Sequence, residues 1–284
     1  MFWNIILLYC RFIILFQQFI APIALGILSF CVHYSLYKLN LTRPPGNFLF
    51  IMLAATAICT PFNIEQIPQK IGYVALGVIF TCFLGMIYGL LTLKEKKPIV
   101  ELRRKSNYTH IIESITFGVV MATSLVVAFI LGNENPYWVP ISCLAVMQGT
   151  STKHIWLRGS QRILGTFVGL GLTWLFMLAH PSQLTMILSI AILQIIVEFL
   201  VVRNYGIAVV FITILTIFLS ESGHQMSANI NSIFITRMVD ILVGSIIGIL
   251  GGWILYHEKL HFLSTMQLRK SRVALHRLRK FPKY

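Results

Sequence analysis

The chain has 284 residues, of which 57% are hydrophobic and only 11% charged, and its mean hydropathy is +0.79. A soluble domain carries about 25% charged residues, so this composition excludes a water-exposed globular fold and points to lipid as the solvent. A formal charge of +14 would suit nucleic acid, but the basic residues stand in short loops between apolar runs, not on one amphipathic face, which excludes that partner too.

A helix crossing the hydrocarbon core takes about 20 apolar residues. Apolar runs occur at 1–18, 19–37, 47–60, 71–93, 111–132, 137–150, 162–179, 183–202, 205–220 and 233–256. They predict an all-α, polytopic transmembrane bundle of about ten spans. The first run has no basic n-region and no small-residue cleavage site, so it reads as a span rather than a signal peptide, although Arg11 interrupts it. The runs 47–60, 137–150 and 205–220 are short, and Pro140 interrupts the second. Short or broken segments mark the binding path of many transporters, so these three are expected to line a central path. Cys10, Cys31, Cys59, Cys82 and Cys143 lie in or at the ends of apolar runs without any CxxC pair. They read as small core hydrophobes rather than disulfide or zinc ligands.

Orientation follows from the loops, because Lys and Arg stay on the cytoplasmic side. Every basic residue except Arg11, Lys70 and Arg237 falls in one alternate set of connections or the tail after 256. The opposite loops, PFNIEQIPQK, GNENPYW, AHPSQ and SESGHQMSANINS, are poor in positive charge. The basic side is therefore expected to be cytoplasmic, with both termini inside if ten spans are present. Tyr137, Trp138, Trp253 and Tyr256 suit interfacial anchors. The basic tail, with its interleaved leucines and phenylalanines, fits either an amphipathic helix on the inner leaflet or a simple positive anchor.

Gly77 and Gly85 in the span 71–93 have the same spacing as Gly244 and Gly252 in 233–256, and Phe50-Ile51 and Phe211-Ile212 sit in the preceding spans. This suggests a parallel internal repeat. The expected organisation is a first membrane half, 1–93, of about four spans; a basic cytoplasmic linker, 94–110; a six-span second half, 111–256; and a basic cytoplasmic tail, 257–284. The first half is two helices short of the second, as an N-terminally incomplete half would be.

Charges inside a membrane cost about 2.5–3.5 kcal/mol each and so mark sites. Asp240, the sole aspartate, follows Arg237 by three residues on one helical face. The two fit a substrate or proton site, or an ion pair within the helix. Arg162 stands at the start of its apolar run, ahead of Gly165 and Thr166. It fits an anion site at a helix N-terminus, or a snorkelling arginine before packing glycines. Glu198 fits a proton-coupling carboxylate or a pair with Arg203. Glu113, near a helix start, favours the helix dipole and receives no transport role. The sequence has no HExxH, GxSxG, Walker or GxGxxG pattern, so it reads as a non-enzyme, and neither cofactor nor metal is expected.

Several features recur in order. Tyr137-Trp138 opens a span ending in MQGTS. Arg162-Ile-Leu-Gly165-Thr166-Phe-Val-Gly169 opens the next. Arg203-Asn-Tyr205-Gly206 leads into AVVFIT, and Arg237-Met-Val-Asp240-Ile-Leu-Val-Gly244 opens the last. Pro44-Pro45-Gly46-Asn-Phe-Leu-Phe adds a feature in the first half. Together they resemble the fusaric-acid-resistance-like, or integral membrane bound transporter, family over most of 44–256. The resemblance implies a bacterial inner-membrane protein that exports aromatic carboxylic acids and related weak acids, with likeness to plant anion channels of the malate type. It also implies a small organic anion as substrate and a periplasmic adaptor as partner; a homo-oligomer is a further expected partner. A passive anion channel and a non-transporting scaffold or assembly subunit are the alternatives.

Overall fold

The protein is described by a computed structural model over residues 2–39, 46–60, 67–92, 107–132, 135–178, 182–222 and 230–256. The linker up to residue 106, the tail 257–284, Arg43 and Pro44-Pro45 lie outside the described residues. Among the described residues the elements are α1 (Phe2–Lys38), α2 (Phe48–Cys59), α3 (Ile67–Thr92), α4 (Asn107–Ile130), α5 (Trp138–Met147), α6 (Thr152–Met177), α7 (Gln183–Arg203), α8 (Tyr205–Ser222) and α9 (Ile230–Tyr256). One compact unit comprises residues 1–59 together with 106–284, and a second comprises 60–105.

Among the described residues, five stretches are long and apolar enough to cross a membrane: Gln18–Lys38, Ile71–Thr92, Thr109–Ile130, Gln183–Arg203 and Phe234–Tyr256. Phe48–Cys59, Trp138–Met147 and Tyr205–Leu219 are shorter apolar helices. The expected count of ten spans is not reproduced. Residues 1–18 and 19–37 were expected as two spans, but 2–38 form one continuous helix. Arg11 and Gln17-Gln18 break the apolar run without supplying a turn, and Pro22 is accommodated inside the helix. At 1.5 Å per residue α1 is about 55 Å long, and its two ends necessarily lie far apart. Both termini on one side therefore no longer follows from the helix count.

The described helix of the second unit is α3, a 26-residue apolar helix in which the Thr81 hydroxyl donates to the Gly77 carbonyl. Satisfying polar groups within the helix is what lipid demands. The expected repeat finds no support here. Gly244 and Gly252 make close interhelical contacts, whereas Gly77 and Gly85 make none within their own unit.

In the first unit α1 packs on α4 with the chains antiparallel. Gly26 meets Gly118 and Ala122, His33 meets Ser114 and Phe117, and Tyr37 meets His110. Helices α5 and α9 run parallel, since Val139 and Ser142 face Gly244 while Cys143 and Val146 face Gly248. Helices α6 and α8 are also parallel, with Gly165 against Val209 and Gly169 against Thr213. Helix α9 runs antiparallel to α6, where Gly159 meets Ile249 and Gly252 meets Ile155. These directions collect Lys38, Asn47, His110, Gln148, Thr152, Asn204 and Tyr256 at one end of the unit. Met177, Met186, Phe218 and Phe234 cluster at the other. Lys38, Lys153, Arg158 and Arg203 lie towards the first end, which agrees with the charge segregation read from the loops.

The core is built around α5. Residues Val139 to Met147 are all buried, against α9, α4, α2 and α6. Small residues permit this approach: a Cβ on Gly248 would lie 2.8 Å from the Cys143 carbonyl oxygen. In lipid such close van der Waals packing, not water exclusion, holds helices together. Conversely α7 exposes Leu184, Ile187, Leu188, Ile192, Ile195, Phe199 and Val202. A continuous apolar face of this extent suits hydrocarbon and not water. The cysteines divide: Cys143 is buried, but Cys31 and Cys82 are exposed on their helices, so they are not core residues.

Candidate arginine centre

The turn between α5 and α6 sets the site. Gln148 donates through Nε2 to Asn47 Oδ1 at 2.8 Å. Ser151 then caps α6, its hydroxyl accepting from the His154 backbone N–H at 3.3 Å. Helix α6 therefore begins about ten residues before the apolar run that announced it. Arg162 is thus not at a helix N-terminus, as expected, but about 15 Å into α6 by the helical rise. Ile155, Gly159, Arg162 and Thr166 form the buried stripe, and the intervening basic residues belong to the helix.

That stripe brings Arg162 into the bundle, where it is 6% exposed. Arg237 on α9 is also 6% exposed, and Asp240, one turn on, is 1% exposed. The Arg237 guanidinium lies over the Trp138 ring, 3.1 Å from its centroid. It interacts electrostatically with Asp240 and Tyr137, and lies near enough to Arg162 to be repelled by it. Among the described residues, Arg162 Nε and Arg237 Nη2 are buried N–H donors with no hydrogen-bond partner. Leaving such a donor unsatisfied costs about 1–3 kcal/mol, more for a charged group.

The other expected residues separate. Thr166 is buried, and its hydroxyl donates to the Arg162 carbonyl at 2.7 Å, so its proton is used within α6. Gly165 is a packing position, where a Cβ would lie 3.0 Å from Val209 and 3.1 Å from the Gly206 carbonyl oxygen. Glu198 stands apart on an exposed face of α7, accepting from Gln194 Nε2 at 3.3 Å, while Arg203 lies over Phe199 instead of pairing with it. Of the three short helices, α2 packs on α5, but α8 packs on α6 and α7 and touches neither.

Two participants were not assigned to the site from sequence. Arg158 reaches the end of α5, its Nη1 donating to the Ala145 carbonyl at 3.4 Å, and its guanidinium lies 4.5 Å from the Tyr205 ring centroid. Its four-residue spacing from Arg162 on one helix face was the available signal. Trp138 was read as an interfacial anchor, yet its ring underlies Arg237. Arg158, Arg162 and Arg237 form a ladder from the basic end of the unit towards the other, with Asp240 beside its last rung.

Lipid-facing helices, a wholly buried half-length helix and charges held inside the bundle define a polytopic α-helical membrane protein. Residues 121–251, which hold the whole arginine ladder, match the fusaric acid resistance protein-like family. The ordered motifs pointed to that family, and the match begins within α4 and ends within α9. The chain is also similar to an uncharacterized membrane protein, YvaC, of Bacillus subtilis (strain 168). The two are 35% identical over 148 residues, which cover 52% of this chain and 23% of that relative. The chain thus matches about a quarter of the relative's length. No solved structure matches it.

Proposed function

We propose that this protein moves small organic anions, of the aromatic or hydrophobic weak-acid kind, outward across the bacterial inner membrane. The observation that carries the reading is the pair of buried guanidiniums, Arg162 and Arg237, with N–H donors unbonded on neighbouring helices. Asp240 offsets one positive charge, and an anion completes the balance. Arg158 and Lys153 at the basic end attract the anion, as a charged cleft concentrates counter-ions. The rings of Trp138 and Tyr205 give an aromatic body surfaces to lie against. The family's description, fusaric acid resistance protein-like, suggests the same substrate class.

The test is flux through proteoliposomes containing the full chain. The probe is benzenesulfonate, a permanent anion that does not leak as a neutral acid, with fusaric acid as the second probe. Arg162→Ala is expected to weaken transport about ten- to a hundredfold, the worth of one charge-assisted hydrogen-bond set of about 1.5–3 kcal/mol. Flux no faster than in empty liposomes, or unchanged in Arg162→Ala, refutes the proposal. A passive channel is the second reading, favoured by the removal of Glu198 from the site. It predicts flux indifferent to an imposed proton gradient.

A further inference from the structure

A second buried polar cluster lies away from the arginines, at the basic end of the unit on α4, which α1 and α9 each pack against. His110 and Glu113, one turn apart on α4, are 4% and 8% exposed, with Nδ1 and Oε2 3.6 Å apart. The Tyr37 ring of α1 stacks on the His110 ring, centroids 3.3 Å apart. One turn earlier, His33 stacks on Phe117 and places Nδ1 2.9 Å from Ser114 Oγ. Tyr256 on α9 interacts electrostatically with Glu113. Among the described residues, helix α5, the other neighbour of α4, brings no acid or base but the Cys143 thiol.

Counting hydrogens orders the cluster. Ser114 has one hydroxyl proton and donates it to the His110 carbonyl at 2.8 Å. Its oxygen is then open to accept from His33 in the tautomer that carries its proton on Nδ1. A neutral imidazole beside a carboxylate leaves His110 and Glu113 with one negative charge together, and one added proton makes the pair neutral overall. Burial makes those two states differ in their demands on the surroundings. On the α1 side, Tyr37 lies against the His110 ring itself, while His33 reaches Ser114, whose hydroxyl bonds the His110 backbone carbonyl.

The geometry points to a proton-binding site formed by His110 and Glu113, backed by His33 and Tyr37, at the basic end of the α1–α4 contact. It is separate from the arginine centre and stands whether or not that centre carries anions. His110 and Glu113 stand in the first turns of the apolar stretch Thr109–Ile130, and ionisable groups within such stretches pair with one another and mark proton relays.

The test uses the full chain in lipid, with infrared difference spectra taken as the bath is stepped from about pH 8 to about pH 5, where imidazole changes charge. The wild type is expected to show a carboxyl signal that follows pH, lost in Glu113→Gln and moved in midpoint by His110→Gln. Glu113→Asp, which keeps the acid, should retain the signal with a displaced midpoint and serves if Glu113→Gln does not fold. A wild type without a pH-following carboxyl signal overturns the proposal. So does a signal unchanged in Glu113→Gln and His110→Gln, or an unmoved midpoint in Glu113→Asp.

Discussion

Substituting Gly244 by alanine tests the α5–α9 contact directly. The added methyl would collide with the Val139 carbonyl oxygen and lie 2.7 Å from Ser142 Cβ. The first obstacle is backbone and the second a Cβ, so neither can swing aside, and α5 must part from α9. Overpacking of this kind costs about 1–3 kcal/mol. Alanine also gains up to about 1 kcal/mol over glycine in helix propensity, which masks part of the cost. Gly171→Ala supplies the correction, because that glycine has open space around it on α6 and registers propensity alone. The difference between the two variants should therefore be about 1–3 kcal/mol, a factor of about 5 to 150 in the folding constant. Reversible unfolding of the full chain in mixed micelles, followed by helical circular dichroism, reads it. Coincident unfolding curves for Gly244→Ala and Gly171→Ala would show that α5 is not seated as described.

Glu198→Gln should leave anion flux within about twofold of wild type, since Glu198 is exposed on α7; a loss comparable to that of Arg162→Ala would return it to the path. Antiparallel α1 and α4 place Lys38 and Leu131 at opposite ends of the unit. In intact cells a membrane-impermeant thiol reagent should label Leu131→Cys and spare Lys38→Cys. Labelling of both from outside would refute the orientation.

Much of the helical frame was legible in apolar runs, because hydrocarbon thickness sets a length that composition reveals. The runs 183–202 and 233–256 fall almost on α7 and α9, and 137–150 contains α5. The run boundaries failed where charge lies inside a helix. Lys153, Arg158 and Arg162 looked like a loop, so the start of α6 was placed ten residues late; the serine cap at Ser151 was the better signal. Arg11 misled in the same way at α1. At the site, Arg237 and Asp240 were visible because a charge in an apolar run is costly. The Trp138 ring beneath Arg237 was not, since which of its faces a helix turns inward depends on partners distant in sequence.

The half-length α5 also bears on how the chain is made. Ten residues give about 15 Å of helix, too little to hold a stable position across lipid alone. Its glycine-lined groove belongs to α9, made roughly a hundred residues later, as the positions of Gly244 and Gly248 show. During synthesis α5 must lodge provisionally among α2, α4 and α6 until the last helix arrives. A ribosome that stalls before residue 230 would leave that groove missing, and the nascent product should be a preferred target of membrane quality-control proteases.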